Sequence, residues 1–187
     1  MCYYYISVFK GGLVMEQFLP DIYQKSIYTI DYSKLLSRGI KCILFDLDNT
    51  IVMPYNNELS KKTKDLFTSL KQKGFKVIIF TNSPKMRLKV FQNVLGVDGV
   101  ANARKPFTGK LKKLLKEYNF TITEVAIIGD QLMTDVSVGN KVGITTVLVN
   151  PLTDKDFFLT KINRFFERKK MKKLRDNDLF WPGRYYE

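Results

Sequence analysis

Four short segments of the chain are apolar without interruption, and each stops abruptly on polar residues. Lys41-Cys-Ile-Leu-Phe45 runs into Asp46, Val77-Ile-Ile-Phe80 into Thr81, Val125-Ala-Ile-Ile128 into Gly129-Asp130, and Thr145-Thr-Val-Leu-Val149 into Asn150-Pro151. A strand that is apolar at every position is buried on both faces, which is the habit of parallel strands covered by helices. The intervening segments carry the helical period instead. Leu66, Phe67 and Leu70 share one face ahead of Gly74; Leu88, Phe91 and Leu95 follow a Ser83-Pro84 start, with Ser83 as the expected N-cap, and stop at Gly96; Leu111, Leu114, Leu115 and Tyr118 form a third stripe; Val136 and Val142 fall on a fourth, shorter helix. Strand and helix in alternation, joined by right-handed crossovers, predict a doubly wound, Rossmann-like α/β domain with a parallel sheet between helices.

The length of 187 residues suits one domain. A single domain is expected over residues 15–175, with its motif-bearing core at 40–150, a basic amphipathic helix at about 155–175 and a tail at 176–187. Residues 1–14 match nothing that follows and read as a non-native or disordered extension. Met15 opens a stretch that looks like a normal start, and Lys10-Gly11-Gly12 is compatible with an encoded ribosome-binding site just upstream; an authentic N-terminal arm is the competing expectation.

Charge and histidine content narrow the chemistry. The net charge is +13, so polyanions (nucleic acid, anionic lipid, phosphorylated substrates) are favoured partners. Histidine is absent, which excludes Ser-His-Asp and Cys-His catalysis and His-ligated zinc. Acid/base work falls to carboxylates, Lys, Tyr or Cys. The two cysteines, Cys2 and Cys42, form no CxxC pair, and a reducing compartment is the natural reading. No apolar run reaches the roughly 18 to 20 residues needed to span a bilayer, and the N-terminus makes a poor secretory signal. A cytoplasmic location follows as the expectation.

In an open parallel sheet, ligands sit beyond the carboxyl ends of the strands. There the chain places Asp46-Leu-Asp48-Asn49-Thr50, Thr81-Asn82-Ser83 and Gly129-Asp130, with Arg104-Lys105-Pro106 after the second helix. Two carboxylates at i and i+2 and a third from a neighbouring strand repel one another unless a cation joins them, and hard oxygen ligands suit Mg²⁺. A lone strand-end Asp is more often a cap or turn residue. Asp46, Asp48 and Asp130 at matched positions, with Thr81 and Lys105, argue against that for the set.

These residues resemble the four motifs of the haloacid-dehalogenase-like (HAD) phosphatases: Asp46-Leu-Asp48-Asn-Thr50 is similar to DxDxT, Thr81 to the second-motif hydroxyl, Lys105 to the third-motif lysine, and Gly129-Asp130 through Asp135 to GDxxxxD. The narrower resemblance is to the YqeG-type members of subclass IIIA, similar to phosphatidylglycerophosphate phosphatases. The resemblance implies a HAD-like fold and a Mg²⁺-dependent phosphomonoesterase with Asp46 as nucleophile and Asp48 as general acid/base. It further implies Mg²⁺ on Asp46, Asp130 and the Asp48 backbone carbonyl, and phosphate on Thr81, the Asn82 N–H and Lys105. Asp135 is expected to orient Lys105 or metal-bound water, or else to lie on a helix surface. Thr50 reads as a turn residue, and Asn49 has no assigned role.

Residues 49–75 and 82–104 are too short to hold a cap domain. An open site suits a large substrate, such as a lipid headgroup; a neighbouring subunit of an oligomer is the other way to cover it. Between Lys161 and Arg175 eight basic side chains face a single acid, Glu167, interleaved with Phe158, Ile162, Phe165 and Phe166 at helical spacing. Such a helix either meets anionic lipid at the inner face of the membrane or packs its Phe stripe on the core. Trp181, Tyr185 and Tyr186 either anchor at an interface or cover a sheet edge. The expected activity is therefore hydrolysis of a phosphorylated anionic phospholipid. The alternatives are a soluble phosphatase for sugar, nucleotide or protein phosphates, and a non-enzymatic basic RNA-binding module. For the last there is no RNP-like motif, GXXG clamp or zinc knuckle, and stable nucleic-acid binding is not expected.

Overall fold

The computed structural model describes residues 16–154 and 158–187, the side chains of 158–165 excepted. The expected N-terminal extension at 1–14, and Met15 with it, lies outside the described residues.

Among the described residues, six strands form one wholly parallel sheet: β1 (Ile22–Gln24), β2 (Cys42–Phe45), β3 (Lys76–Phe80), β4 (Asp98–Val100), β5 (Val125–Gly129) and β6 (Thr145–Val149), in the spatial order β1-β6-β5-β2-β3-β4. The helices are α1 (Tyr32–Ser37), α2 (Lys61–Gln72), α3 (Lys85–Leu95), α4 (Gly109–Glu117), α5 (Ser137–Val142) and α6 (Phe158–Asp176). From β2 the chain winds outward through β3 to β4, then returns to the other side of β2 for β5 and β6. The switch point between β2 and β5 opens a crevice at their carboxyl ends, where ligands of such sheets bind.

The continuous apolar strands feed two cores. Ile43, Phe45, Val77, Ile79, Ala126 and Ile128 pack against Leu35, Phe67, Leu70, Leu88, Phe91 and Leu95 of α1, α2 and α3. The residues between them, Cys42, Leu44, Ile78, Phe80, Val125 and Ile127, pack against Leu111, Leu114, Leu115 and Val138 of α4 and α5. A third cluster joins Phe18, Tyr23, Leu132, Val136 and Leu148 to Leu174 of α6 and Phe180 of the tail. The connection from β2 to β3 carries α2, and that from β3 to Lys105 carries α3 and β4, so neither connection holds a cap domain.

The structure adds β1 and β4 at the two edges, which no apolar run announces. It also divides the expected helix at Val136 and Val142: Leu132–Val136 form a π turn, and α5 follows it. The expected Ser83 cap is corrected. Pro84 is the N-cap of α3 and makes no side-chain cap bond, because the Ser83 hydroxyl is committed elsewhere, to Asp48. Of the Phe stripe on α6, Phe166 is half exposed at 50% while Glu167 is buried; the side chains of Phe158, Ile162 and Phe165 lie outside the described residues. Tyr186 exchanges both backbone hydrogen bonds with Tyr23, at 2.9 Å each, so the tail covers the β1 edge.

Candidate active site

The parallel register sets the site. Phe45 lies opposite Ile128 of β5 and Ile79 of β3, so the three strands end at nearly one level. Asp46 follows directly, its N–H donating to the Ile128 carbonyl at 2.9 Å. Asp130 follows Gly129 at the end of β5, across the switch point, and Thr81 follows Phe80 at the end of β3.

Lys105 ties the ends together. Its Nζ lies 2.5 Å from Asp46 Oδ1 and 2.5 Å from Asp135 Oδ1, and donates to the Phe80 carbonyl at 2.9 Å. All three charged groups are buried. The Asn82 side chain fixes Lys105 from behind: its amide accepts from the Lys105 N–H at 2.7 Å and donates to the Lys105 carbonyl at 3.1 Å. Burial pushes the Asp46 carboxyl up to about 7; the Lys105 ammonium pulls it back, and the Asp135 and Asp48 charges add to the rise. Burial draws Lys105 down, but Asp135 and Asp46 together outweigh it and hold the ammonium above its ordinary range.

Asp135 is buried, not on a helix surface. Its second oxygen accepts from the Gln131 N–H and the Thr134 hydroxyl, each at 3.3 Å. Gly129 makes room for it: a Cβ at that position would fall inside the Asp135 carboxyl group. Asp130 accepts a hydrogen bond from Thr50 at 3.1 Å. One carboxylate oxygen from each of Asp46, Asp130 and Asp135 lies within 4.8 Å of the others. Three buried hard-oxygen donors at that spacing fit a small divalent cation with only minor adjustment, since ligands at about 2.1 Å from one ion span up to about 4.2 Å.

Asp48 is held by a different set of residues. Its carboxylate accepts from the Ser83 hydroxyl and from Arg87, whose Nε is 2.7 Å from Oδ1. The Thr81 hydroxyl accepts the Ser83 N–H at 3.0 Å, which leaves its own proton to donate. Asn49, left without a role by the sequence, adopts a positive φ of 66° and bonds the Leu152 N–H through its carbonyl and the Thr153 N–H through its side chain, joining the β2 and β6 loops. Sequence reasoning missed three groups: Arg87, the Asn82 side-chain clamp, and Glu167 of α6, whose carboxylate accepts the Leu132 N–H at the start of the π turn. Only Arg87 left a trace in the sequence, as a basic residue one turn past Thr81-Asn82-Ser83.

Residues 7–153 match the family model described as mitochondrial PGP phosphatase. The chain belongs to that family. Among its relatives, the probable phosphatase YqeG of Bacillus subtilis is 36% identical over 84% of this chain and 91% of its own. Phosphatidylglycerophosphate phosphatase 1 of Arabidopsis thaliana is 26% identical over 78% of this chain, which spans only 45% of that relative's length. A D,D-heptose 1,7-bisphosphate phosphatase from B. bronchiseptica, solved with magnesium and phosphate, shares the fold with a TM-score of 0.50 at 17% identity, over 58% of this chain and 80% of that one. This member of the PGP phosphatase family is thus a phosphatase, and its doubly wound fold is shared with that heptose bisphosphate phosphatase. No helix among its described residues is long and apolar enough to cross a membrane.

Proposed function

We propose that the protein is a Mg²⁺-dependent phosphomonoesterase that hydrolyses phosphatidylglycerophosphate through an aspartyl-phosphate on Asp46. The observation that carries this reading is the buried Asp46 carboxylate, 2.5 Å from the Lys105 ammonium and grouped with Asp130 and Asp135 at the crevice between β2 and β5. The family match and the phosphatidylglycerophosphate phosphatases among the relatives support the substrate, as does a site without a cap.

Asp46 attacks phosphorus: its carboxylate oxygen forms a new O–P bond as the ester P–O bond breaks. Asp48 gives its proton to the departing alkoxide, then takes one from the water that attacks the phosphorylated Asp46, which releases phosphate and restores both residues. Ser83 and Arg87 fix the rotamer from which Asp48 works. Lys105, the Thr81 hydroxyl and the Asn82 N–H receive the phosphate oxygens, and Lys105 stays ionised to do so because Asp135 and Asp46 flank it. Asp46, Asp130 and the Asp48 backbone carbonyl would hold Mg²⁺, which would neutralise charge on the phosphate. Asp135 positions Lys105.

The test is release of phosphate from phosphatidylglycerophosphate with and without Mg²⁺, for the wild type and Asp46→Asn. Mg²⁺-dependent release that the substitution abolishes supports the proposal. Turnover of soluble sugar or nucleotide esters with none on the lipid would leave a phosphatase and remove the lipid.

A further inference from the structure

The three most exposed large hydrophobic side chains among the described residues are Met86 at 86%, Phe107 at 74% and Tyr55 at 67%. Scattered apolar residues on a surface need no explanation. Each of these three lies on a segment that also carries a site residue. Met86 adjoins Arg87, which grips Asp48; Phe107 stands two residues beyond Lys105, its N–H bonded to the Arg104 carbonyl at 2.9 Å; and Tyr55 lies in the loop after β2. Arg87 secures that loop, donating to the Met53 and Asn56 carbonyls at 3.4 and 3.2 Å and to the Asn57 side chain at 3.1 Å. Met53, half exposed at 50%, belongs to the same loop. Three separate segments that carry site residues thus each present an apolar side chain to solvent.

The charge around them has one sign for the most part. Lys85, Arg104 and Lys110 are exposed on the same segments, and Glu58 is the one exposed acid among residues 53–58, 82–86 and 104–110. Apolar and aromatic side chains among cations match the interfacial zone of an anionic bilayer, where the rings and thioethers enter the acyl boundary and the cations meet headgroup phosphates.

We infer that Met53, Tyr55, Met86 and Phe107 form an apolar rim that docks the mouth of the active site onto an anionic phospholipid surface. The inference rests on the lipid-substrate reading and deepens it. A phosphate ester anchored by acyl chains has to reach the buried Asp46 without leaving the bilayer, and a rim that enters the headgroup layer brings Asp46 to it. The +13 net charge draws the protein to the surface, and the rim sets its orientation.

The experiment compares the full-length wild type with the double variant Met86→Ser/Phe107→Ser. It measures co-sedimentation with phosphatidylglycerol/phosphatidylcholine vesicles and with phosphatidylcholine vesicles, and turnover of vesicle-borne phosphatidylglycerophosphate and of p-nitrophenyl phosphate. The expected result is wild-type binding to the anionic vesicles, a loss of at least about tenfold in the variant for both binding and vesicle turnover, and unchanged turnover of the soluble ester. Equal vesicle binding by the two proteins overturns the proposal. So does a parallel loss on the soluble ester, which would place these side chains in the chemistry or the fold, and so does a wild-type dimer that the variant dissolves while vesicle binding persists. Loss of vesicle binding in the variant, with no phosphate released from the lipid by either protein, supports docking and removes the substrate reading alone.

Discussion

Arg87 holds Asp48 through two nitrogens of its guanidinium, Nε at 2.7 Å and Nη2 at 2.6 Å from the same Oδ1. The contact joins the first turn of α3 to the loop after β2, and the same guanidinium secures residues 53–57. Arg87→Met removes both functions. The expected outcome is a fall in kcat of about 10- to 100-fold from misplacement of Asp48, with Mg²⁺ affinity little changed. Steady-state kinetics together with Mg²⁺ titration check it, and a loss confined to KM would contradict it.

Lys105 is buried with a carboxylate at 2.5 Å on each of two contacts. Lys105→Met leaves Asp46 and Asp135 buried without their shared cation, which costs about 3–5 kcal/mol for a broken buried pair. Activity is lost as well. Urea unfolding reads the first effect and phosphate release the second; a variant as stable as the wild type would refute the electrostatic account of the cluster.

Gly129→Ala tests the packing beneath the site. The added methyl overlaps the Asp135 carboxyl group, so Asp135 moves and Lys105 with it. Overpacking of this kind destabilises by about 1–3 kcal/mol. The expected signature is a stability loss in that range together with low activity, read by denaturant unfolding and by turnover at saturating Mg²⁺.

The Asp46 carboxyl, pushed up to about 7 by burial, sets a pH dependence. Its folded-state value is above the roughly 3.9 of an unfolded Asp. In metal-free protein its contribution to stability is therefore complete below about pH 4 and is lost as pH rises through about 7. Without metal, the melting temperature of the wild type relative to Asp46→Asn falls between about pH 4 and 7 and levels off above that. A cation competes with the proton, so added Mg²⁺ shifts the acid limb of kcat/KM to lower pH. An acid limb that ignores Mg²⁺ concentration would contradict this.

Cys42 is fully buried in β2, and burial pushes its thiol up to about 12. In a Cys2→Ser variant, a thiol reagent at pH 8 is expected to label Cys42 only after unfolding. Rapid labelling of the native variant, followed by mass spectrometry, would show that β2 opens.

Burial on both faces made much of the fold legible. β2, β3, β5 and β6 are central or nearly so, and their apolar runs mark them. β1 and β4 escaped because edge strands of three residues need no such run: Asp98-Gly-Val is only half buried, and Gly99 is there because Leu88 of α3 lies close against it. Asp46, Thr81 and Asp130 were readable as the first polar residues beyond apolar strands, or one residue later. Lys105 ends no apolar run and stood out only as a cation in the segment after the second helix, while Asp135 was picked out by the motif resemblance alone. Arg87, the Asn82 clamp and Glu167 were hidden for a different reason. Each acts on a residue far away in sequence, and which one depends on how α3, the β3 loop and α6 pack.

The most direct test of the central claim is to identify the residue that carries phosphate during turnover. Borohydride added to the working enzyme with substrate and Mg²⁺ reduces an acyl phosphate, and peptide mass spectrometry locates the change. The account predicts reduction at Asp46, dependent on substrate and absent in Asp46→Asn. Reduction at another carboxylate, or phosphate release by Asp46→Asn at the wild-type rate, would contradict it.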